Sequence, residues 1–470
     1  MKLYQDEKIH FIGVGGISMS ALAKYVVKNA GIVSGSDREK TDITVDLEKI
    51  FPVYYGENPH IIDGVDKVVY SSAISEDNLE LRRARELKIP TVERCEFLGE
   101  ISHNFQKMVA IAGTHGKTTV TALIAHGLNN LKADFSAHIG GETELGNLIL
   151  RGEEIFVTEA CEYKKSLLSL SPHISVLLNA ELDHPDCYTD MKSLLGVYLT
   201  YLEKGEVQVF TKDVVDICNR EHISIYGYEK LSKGWKIVEN QENLPKESVV
   251  ALSNDKVKVW QYANMRNVDG VFAIDVYVDG VFADVALTYD GDKLSGQNTI
   301  VALAVLDCLG YTLNETKAVL KSFGGVKRRR EFVGCLGESK VVFDYAHHPT
   351  QIRNILLTYK GRKLVVFQPH TYSRTKAYFD DFCRALSLAD QLVIMETYGA
   401  RECVIDGADS AYLAEQISTI IAKERVERIK SIDTTIDYVI KRKNQYDYIF
   451  FLGAGDIYDL KGKLNPFLTH

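Results

Sequence analysis

Short apolar runs alternate with amphipathic stretches at the start of the chain. HFIGVGG (residues 10–16) predicts a strand that enters a glycine turn, and ISMSALAKYVVKNAG (17–31) predicts the helix that follows it. IVSGSD (32–37) and KVVYSSAI (67–74) predict further strands that end in small or polar residues. This alternation of strand and helix predicts a parallel sheet covered by helices.

The same pattern begins again in the middle of the chain. KMVAIAGTHGKTTVTALIAHGL (107–128) predicts a strand, a glycine loop and a helix, and two apolar runs with polar ends follow in EEIFVTEACEY (153–163) and HISVLLNAELDHPDCY (173–188). From about residue 205 to 290 we expect β-hairpins. One of them has a two-residue turn at Asp279-Gly280. A helix is predicted in TIVALAVLDCLG (299–310).

After the basic segment GGVKRRRE (324–331), the last part of the chain returns to alternating strands and helices. The predicted strands lie in KVVFDYAHHPT (340–350), KLVVFQPHTYSRT (363–375), QLVIMETYGARE (391–402) and YIFFLGAGDI (448–457). The pattern therefore predicts an α/β protein with three consecutive α/β units.

Composition agrees with this architecture and excludes several classes. The chain has 470 residues, which at about 150 residues per domain favours three domains. Lys+Arg is 55 and Asp+Glu is 64, a net charge of −9 that argues against a general nucleic-acid or membrane-surface binder but allows local phosphate pockets. The eight cysteines are scattered without a C-x-x-C pair, as expected for reduced thiols rather than disulfides or zinc ligands. With no apolar span of membrane length and no apolar stretch of a signal peptide, we expect a cytoplasmic protein without membrane insertion.

The strongest single motif is GTHGKTT, Gly113 to Thr119. Glycines allow backbone N–H groups to approach phosphate, Lys117 would contact the β- and γ-phosphates of ATP, and Thr118 would ligate Mg²⁺. The strict P-loop spacing is not kept, because Ile111 stands where the first glycine belongs. An ordinary glycine-rich turn is the alternative.

GVGGIS near the N-terminus resembles a dinucleotide fingerprint, with Gly13, Gly15 and Gly16 in the turn, Ser18 after it and Asp37 downstream. The motif is compatible with a nucleotide-sugar, with NAD(P) or with a structural turn. Taken alone it does not decide among them.

Polar residues stand at the ends of the two predicted strands that follow GTHGKTT, Glu159 and Glu162 at the first and His184 at the second. Glu159, Glu162 and His184 could complete magnesium sites around ATP, or they could be solvated charges. Mg²⁺ prefers oxygen ligands, so a histidine would be unusual there.

The basic run 327–330 (KRRR) is either a solvated linker or a clamp for the phosphates of ATP. DYAHHP (344–349) and HTYSR (370–374) end two strands of the last unit. We expect Arg374 and the histidines to orient a substrate or to form structural hydrogen bonds. Because no third ligand has suitable spacing, we reject a metal site there.

Taken together, these motifs resemble the Mur ligases over nearly the full chain. In order, the motifs that carry the resemblance are IHFIGVGGISMSALA, SGSD, SSAI, AGTHGKTT, EACEY, DHPD, RRRE, DYAHHPT, FQPHTYSRT, YGARE and GAGDI. The resemblance implies an N-terminal Rossmann-like domain that binds a UDP-sugar (1–106). It also implies a central P-loop-type ATPase domain with a mostly parallel sheet and a β-hairpin region (107–323), and a C-terminal Rossmann-like domain that binds an amino acid (324–470).

The resemblance also implies residue roles. The residues that would bind ATP are Gly113, Thr114, His115, Gly116, Lys117, Thr118 and Thr119. Those that would bind the UDP-sugar are Gly13, Gly15, Gly16, Ser18, Asp37, Ser71 and Ser72. The implied amino-acid pocket contains Tyr345, His347, His370 and Arg374. The implied metal ligands are Thr118, Glu162 and His184. The expected catalytic residues are Lys117, Glu162, His184, Asn298, Arg329, Asp344 and His347.

The implied activity is an ATP-dependent ligase of peptidoglycan precursor synthesis that joins L-alanine to the lactyl carboxylate of UDP-N-acetylmuramate through an acyl phosphate, with Mg²⁺. The family pattern G-x-H-N-x-x-N reads GQNTIV here (296–301), so its histidine and second asparagine are missing and Asn298 is the surviving candidate. EACEYKKS also differs from the acidic form E-A-D-E-S-D, and Ile17 replaces a smaller residue. A ligase that recycles a preformed peptide and a catalytically weakened UDP-sugar or ATP-binding homologue are the alternatives.

Overall fold

The computed structural model describes residues 3–225, 248–253, 256–400 and 402–469. Part of the predicted hairpin region, 226–247, and Arg401 of the YGARE motif lie outside them. The chain divides into two compact units, Met1–Leu182 with Asp190–Gly324 and Asp183–Thr189 with Gly325–His470. Within the described residues, no helix combines the length and the apolar composition that crossing a membrane requires.

The N-terminal sheet is parallel throughout, with strand order β3-β2-β1-β4-β5. Its strands are β1 (Lys8–Ile12), β2 (Ile32–Asp37), β3 (Val53–Tyr55), β4 (Lys67–Tyr70) and β5 (Thr91–Glu93). The helices are α1 (Ile17–Lys28), α2 (Asp42–Glu48), α3 (Leu79–Glu86) and α4 (Arg94–Ser102), with a 3₁₀ helix at Pro59–Ile62. In the central strand β1 every residue after Lys8 is buried, as expected for a parallel strand covered on both faces.

Ten strands of the described chain form the central sheet, in the order β15-β14-β13-β12-β11-β10-β6-β9-β7-β8. They are β6 (Lys107–Ala112), β7 (Phe135–His138), β8 (Leu148–Leu150), β9 (Ile155–Glu159), β10 (Ile174–Leu177), β11 (Val207–Thr211), β12 (Ser248–Ser253), β13 (Lys256–Val268), β14 (Val271–Val278) and β15 (Val281–Thr288). The helices are α5 (Lys117–Asn130), α6 (Met191–Leu202), α7 (Lys212–Arg220), α8 (Lys293–Cys308) and α9 (Leu313–Thr316), with a 3₁₀ segment at Tyr163–Ser169. β11, β10, β6, β9 and β7 are parallel, whereas β8 and β12 to β15 pair antiparallel.

Three predictions for this region can be compared with the structure. The turn at Asp279-Gly280 is confirmed, with φ angles of 52° and 79° between β14 and β15. The hairpin prediction from residue 205 is wrong for β11 and α7, because β11 pairs parallel with β10 and α7 buries an apolar face that includes Val214 and Cys218. The predicted helix 299–310 begins earlier, because the Asp292 side chain accepts a hydrogen bond from Ser295 N (2.7 Å) and caps α8.

The C-terminal sheet has strand order β16-β17-β21-β18-β19-β20, and only the β16–β17 pair is antiparallel. Its strands are β16 (Glu331–Leu336), β17 (Ser339–Asp344), β18 (Lys363–Phe367), β19 (Gln391–Ile394), β20 (Val426–Arg428) and β21 (Tyr448–Leu452). The helices are α10 (Pro349–Thr358), α11 (Tyr372–Ala377), α12 (Phe379–Leu386), α13 (Ser410–Ile420), α14 (Ile432–Ile440) and α15 (Leu460–Leu464). Short 3₁₀ helices lie at Lys423–Arg425, Asp456–Asp459 and Asn465–Phe467.

Two apolar clusters form the core of this last sheet. One includes Val365, Phe367 and Phe450, and the other includes Leu364, Val366 and Phe451. Because side chains alternate along a strand, each cluster covers one face of the sheet. The predicted α/β architecture, with three sheets in succession, is confirmed. The first and last sheets are mostly parallel, and the central sheet combines a parallel part (β11, β10, β6, β9 and β7) with antiparallel strands at both edges. The domain boundaries at 106/107 and 323/324 stay predictions.

Candidate active site

The second glycine loop, Gly113–Gly116, connects β6 to α5 and is called the phosphate loop below. Gly113 and Gly116 have left-handed φ angles of 134° and 87°. A Cβ on Gly113 would lie 3.1 Å from Cβ of Leu178 and 3.2 Å from N of Asn179, so crowding and backbone strain both require glycine there. The loop ends at the N-terminus of α5, a setting that favours bound phosphate through backbone N–H groups and the helix dipole.

Polar groups that follow β10 fix the conformation of this loop. His115 N donates to Asn179 Oδ1 (2.9 Å), and Asn179 Nδ2 donates back to the His115 carbonyl (3.0 Å). Thr114 Oγ1 donates to the Glu181 carbonyl (2.8 Å) and accepts from Glu181 N (2.9 Å). The loop is therefore held in one shape by its neighbours, which is what a preorganised phosphate site needs.

Lys117 is the first residue of α5 and lies against a buried carboxylate. Its Nζ is 2.8 Å from Glu162 Oε2 and 3.0 Å from Oε1, and it also donates to the Gly113 carbonyl. The Glu162 side chain is 2% exposed. Burial alone would lower the pKa of Lys117, but the charge and hydrogen bond of Glu162 hold this pKa above its ordinary value. Lys117 is thus a fixed cation at the phosphate loop.

A second carboxylate lies next to Thr118. Thr118 Oγ1 donates to Glu159 Oε2 (3.0 Å), and Gly140 N donates to Glu159 Oε1 (2.6 Å). Thr118, Glu159 and Glu162 therefore bring hydroxyl and carboxylate oxygens to the first turn of α5, and oxygen donors are what Mg²⁺ prefers. Of the predicted metal ligands, Thr118 and Glu162 belong to the first compact unit and His184 to the second.

Thr119 and Asn298, the remaining predicted site residues of this unit, also lie in helices. Thr119 is in the first turn of α5. Asn298 is buried inside α8, where its Nδ2 donates to the Tyr289 hydroxyl (2.9 Å). Asn298 directly precedes the stretch 299–310 that the sequence predicted to be helical.

The first glycine loop, Gly13–Gly16, connects β1 to α1 and is called the N-terminal glycine loop below. Gly13 has a left-handed φ of 81° and donates from N to the Ser36 carbonyl (2.8 Å). Gly15 N donates to Asp37 Oδ2 (2.8 Å), and a Cβ on Gly15 would lie only 2.8 Å from that oxygen. The predicted acidic residue of the fingerprint thus holds the loop itself.

Ser18, Ser71 and Ser72 also belong to this edge of the N-terminal sheet. Ser18 lies in the first turn of α1. A Cβ on Gly13 would lie 3.6 Å from Cβ of Ser71, and the Ser72 carbonyl accepts from Lys164 Nζ (3.1 Å). The predicted UDP-sugar residues therefore gather at the carboxyl ends of β1, β2 and β4, where ligands of open α/β sheets bind.

In the second compact unit, a buried ion pair joins Asp183 to Arg374. Arg374 Nε and NH2 lie 3.2 and 3.1 Å from Asp183 Oδ1, and both side chains are less than one tenth exposed. Burial opposes ionisation of Asp183, but Arg374 and His184 hold its pKa well below the ordinary value. His184 has a left-handed φ of 55° and donates from N to Asp183 Oδ1 (2.7 Å). β10 ends at Leu177, so His184 lies in a loop rather than at the predicted strand end.

Two histidines lie beside this ion pair. The His347 and His370 rings are 5.8 Å apart, and Arg374 NH1 is 3.3 Å from His370 Nδ1. Burial and the charge of Arg374 lower the pKa of His370 to about 4 and that of His347 well below its ordinary value. His347 Nδ1 lies 2.8 Å from the Tyr345 carbonyl, which can only accept, so Nε2 carries the lone pair of a neutral ring.

Asp344 ends β17 and holds the turn around it. Its two carboxylate oxygens accept from Arg330 N and Ala346 N, each at 2.7 Å. Burial raises the pKa of Asp344, and the charge of Arg329 opposes that rise. Arg329 stacks over the Tyr345 ring at 4.8 Å.

The basic segment 327–330 is folded onto the C-terminal unit rather than extended. The Arg328 guanidinium lies 4.9 Å from the ring centres of both Tyr345 and Tyr458, and its NH2 donates to the Gly455 carbonyl (2.9 Å). The interpretation of this segment as a simple solvated linker is therefore wrong for Arg328.

Several polar residues of these sites were not singled out by the sequence. They are Asn179, Glu181, Asp183, Arg94 and His138. The first three follow the apolar run of β10, so a search of that segment for polar groups could have found them. Nothing in the pattern pointed to His138, which is buried at the end of β7.

Family models match three parts of the chain. Residues 8–106 match the Mur ligase family catalytic domain, 111–200 the Mur ligase middle domain, and 328–455 the Mur ligase glutamate ligase domain. The three matches fall on the three sheets in chain order.

Curated relatives and solved structures match almost the whole chain. It is 34% identical over 465 residues to a UDP-N-acetylmuramate–L-alanine ligase from Acetivibrio thermocellus, covering 96% of this chain and 94% of that protein. A protein of the same name from Clostridium novyi is 34% identical, with 96% of each chain covered. The crystal structure of a UDP-N-acetylmuramate–alanine ligase from Thermotoga maritima superposes with a TM-score of 0.75 at 25% identity over 98% of both chains. A murein peptide ligase from Psychrobacter arcticus has the same fold, with a TM-score of 0.67 at 20% identity over 98% of both chains.

Proposed function

Because the chain belongs to the Mur ligase family, we propose that it is the ATP-dependent ligase that joins L-alanine to the lactyl carboxylate of UDP-N-acetylmuramate. The observation that carries this proposal is the fixed Lys117 cation at the phosphate loop, in a chain whose curated relatives carry that name over almost their full length. The activity makes a precursor of peptidoglycan. ATP supplies the energy, and the nucleotide-sugar supplies the carboxylate that is activated.

The chemistry proceeds in two displacements. A carboxylate oxygen attacks the γ-phosphorus of ATP, the bond to the bridging oxygen breaks, and ADP leaves an acyl phosphate. The amine of L-alanine then attacks the acyl carbon, and phosphate departs with the former carboxylate oxygen. Activation is needed because an amine cannot displace oxide from a free carboxylate at a useful rate.

The first displacement is assigned to the phosphate loop. Phosphoryl transfer is catalysed mainly by position and by charge stabilisation, and Lys117 supplies a cation that its neighbours hold in place. Glu162 is paired with this cation, so a γ-phosphate bound at the loop would share Lys117 with it. The rigid contacts of Asn179 with His115 hold the loop ready for that ligand.

Mg²⁺ fits the oxygen-rich first turn of α5. Thr118, Glu159 and Glu162 are the residues that would hold it directly or through water, and His184 is a less usual ligand for this ion. When bound, the ion would neutralise charge on the phosphates of ATP.

The second displacement needs an amine without its proton. We assign the acceptance of that proton to His347, because its Nδ1–H donates to the Tyr345 carbonyl and its Nε2 therefore carries the lone pair. Arg374, held by Asp183, is the cation that we assign to the carboxylate of the incoming amino acid. We place the enzyme in the cytoplasm, where ATP and UDP-sugars are available.

The test measures phosphate release from ATP with purified protein. Release should require both UDP-N-acetylmuramate and L-alanine. Glycine and L-serine are the control amino acids and should give less release than L-alanine. A preference for the murein tripeptide would make the chain a peptide-recycling ligase, and ATP binding without release would make it a binding protein. Either of those two outcomes would contradict the proposal.

A further inference from the structure

His138 joins the two nucleotide sites of the first compact unit. It is the last residue of β7, and its side chain is 3% exposed. His138 Nε2 lies 2.9 Å from Ser18 Oγ in α1, and Nδ1 lies 3.0 Å from Thr158 Oγ1 in β9. The buried His138 ring of the central sheet thus contacts α1, the helix that follows the N-terminal glycine loop.

The donor and the acceptor of each hydrogen bond around His138 can be assigned from Arg94. Arg94 NH1 lies 3.2 Å from Ser18 Oγ, and a guanidinium can only donate, so Ser18 Oγ accepts this bond. The Ser18 proton is then available to His138 Nε2, which leaves the Nδ1 proton for Thr158 Oγ1. Burial and the charge of Arg94 lower the pKa of His138 to about 3, as expected for a ring that stays neutral.

This series of hydrogen bonds continues to the residues that follow the phosphate loop. Thr158 Oγ1 donates to the carbonyl of Glu159 at 3.5 Å, and the Glu159 carboxylate accepts from Thr118 Oγ1. A second hydrogen bond also joins α1 to this part of the central sheet. Asn147 Nδ2, next to β8, donates to the Ile17 carbonyl at the start of α1 (2.9 Å). The first turn of α1 is therefore fixed to the central sheet at two points.

The Arg94 guanidinium has further donors besides the one that it gives to Ser18. It begins α4, directly after β5, and its guanidinium lies at the start of α1 through the bond to Ser18. Among the residues that the structure describes, its other nitrogens make no hydrogen bond. Through the bond to Ser18 the guanidinium lies next to the first turn of α1, and the helix N-terminus there also favours negative charge.

We propose that His138 is a positioning residue of the nucleotide-sugar site, which holds the Ser18 hydroxyl and, through it, the Arg94 guanidinium at the N-terminal glycine loop. The inference rests on the proposed function, because UDP-N-acetylmuramate is the ligand that it assigns to this loop. His138 itself does not touch the substrate. It sets the geometry of groups that do.

The first experiment compares His138→Leu with the wild type in steady-state kinetics. Leucine fills a similar space but makes neither hydrogen bond. The KM for UDP-N-acetylmuramate should rise about tenfold, which corresponds to about 1.4 kcal/mol at 25 °C. kcat should change by less than about twofold and the KM for ATP should not change, because the lost interaction serves substrate binding alone.

Two further variants separate positioning from a general loss of stability. His138→Gln keeps both a donor and an acceptor and should restore the KM for the nucleotide-sugar to within about threefold of wild type. Ser136→Ala is the matched control, because Ser136 is also buried in β7 but bonds to the Gly152 carbonyl instead of α1. It should lower stability without changing either KM. If His138→Leu does not fold, Thr158→Val removes the partner of Nδ1 and should raise the same KM by about threefold.

Direct binding of UDP-N-acetylmuramate, measured by calorimetry, closes the test. A wild-type protein that binds this ligand and a His138→Leu variant that binds about tenfold more weakly would support the inference. Equal binding by the two proteins, or an equal loss in Ser136→Ala, would overturn the inference and leave the proposed function intact. A wild-type protein that does not bind the ligand would overturn both.

Discussion

The two glycine loops have the same backbone setting but differ in the residue that follows the last glycine. Each lies between a buried parallel strand and the N-terminus of a helix. After Gly16 the helix begins with Ile17, and the loop is held by the carboxylate of Asp37. After Gly116 it begins with Lys117, which is paired with Glu162.

We propose that this difference separates binding from chemistry. The N-terminal glycine loop carries no cation of its own, and the Arg94 guanidinium of another element lies 3.2 Å from Ser18 Oγ beside it. The phosphate loop carries its own cation at the helix start, where charge develops during phosphoryl transfer. In this proposal, both glycine-rich turns bind anions, and Lys117 at the start of α5 marks the loop at which the anion reacts.

The largest expected effect is at Lys117. Lys117→Ala removes the cation and should lower kcat by about 10³-fold or more while the protein stays folded. Lys212→Ala is the matched control, because Lys212 also begins a helix after a parallel strand of the same sheet and is paired with Asp216. The measurement is ADP formation, with circular dichroism as the check on folding.

A Lys117→Ala protein with turnover near wild type would contradict the proposed division between the loops. So would a Lys212→Ala protein with the same loss. Comparable losses in folded proteins would show that the effect on turnover is not specific to the phosphate loop.

The next effect concerns the carboxylates at the phosphate loop. Glu162→Gln removes the charge that holds Lys117 and a proposed Mg²⁺ ligand, and should lower kcat by about 10²-fold. It should also raise the Mg²⁺ concentration needed for half-maximal rate. Glu154→Gln should change neither value, because Glu154 directly precedes β9 and its side chain is 45% exposed. An unchanged Mg²⁺ requirement in Glu162→Gln would exclude the assigned role of this carboxylate.

The two loops should also differ in how strictly they require glycine. Gly113→Ala combines left-handed strain with contacts at 3.1 and 3.2 Å, and should lower the free energy of unfolding by about 2–3 kcal/mol. In Gly13→Ala the nearest atom is 3.4 Å away, so strain dominates and about 1 kcal/mol is expected. Gly16 has an ordinary φ of −66° and should tolerate alanine within about 0.5 kcal/mol.

Urea denaturation of these three variants measures that order. Equal losses at Gly113 and Gly13 would mean that crowding by Leu178 and Asn179 does not contribute. A large loss at Gly16 would contradict the backbone geometry of the N-terminal glycine loop.

The smallest expected effect is at Asp37. Asp37→Ala removes the acceptor of the Gly15 N–H and should raise the KM for UDP-N-acetylmuramate by about fivefold, because one charge-assisted hydrogen bond is lost. Asp37→Asn keeps an acceptor and should have an effect below about twofold. The KM for ATP should be unchanged in both variants, and a shift in it would show that the loops are not independent.

The sequence predicted the parallel sheets because their strands are buried apolar runs bounded by polar ends, as in β1, β6 and β10. It failed for β11 and α7, where a short strand and an amphipathic helix resemble the hairpins that follow them. It also failed to place Asn298 in a helix, because the cap at Asp292 is a local hydrogen bond that the family pattern does not reveal.

The residues of the candidate site could be predicted better than their pairings. Lys117, Glu162 and Arg374 stand in motifs, so the sequence singled them out. The pairing of Lys117 with Glu162 and that of Arg374 with Asp183 join residues far apart in sequence, so the pattern did not reveal them. His138 could not be predicted, because its role depends on how α1 packs against β7.

The central claim is that the phosphate loop transfers the γ-phosphate of ATP to the carboxylate bound at the N-terminal glycine loop. The most direct test uses UDP-N-acetylmuramate labelled with ¹⁸O in the lactyl carboxylate, together with ATP and L-alanine. The account predicts that each released phosphate carries one oxygen from that carboxylate, and that Lys117→Ala releases labelled phosphate about 10³-fold more slowly or not measurably. Released phosphate without the label would contradict the account, because it would show that ATP is hydrolysed without activation of the carboxylate.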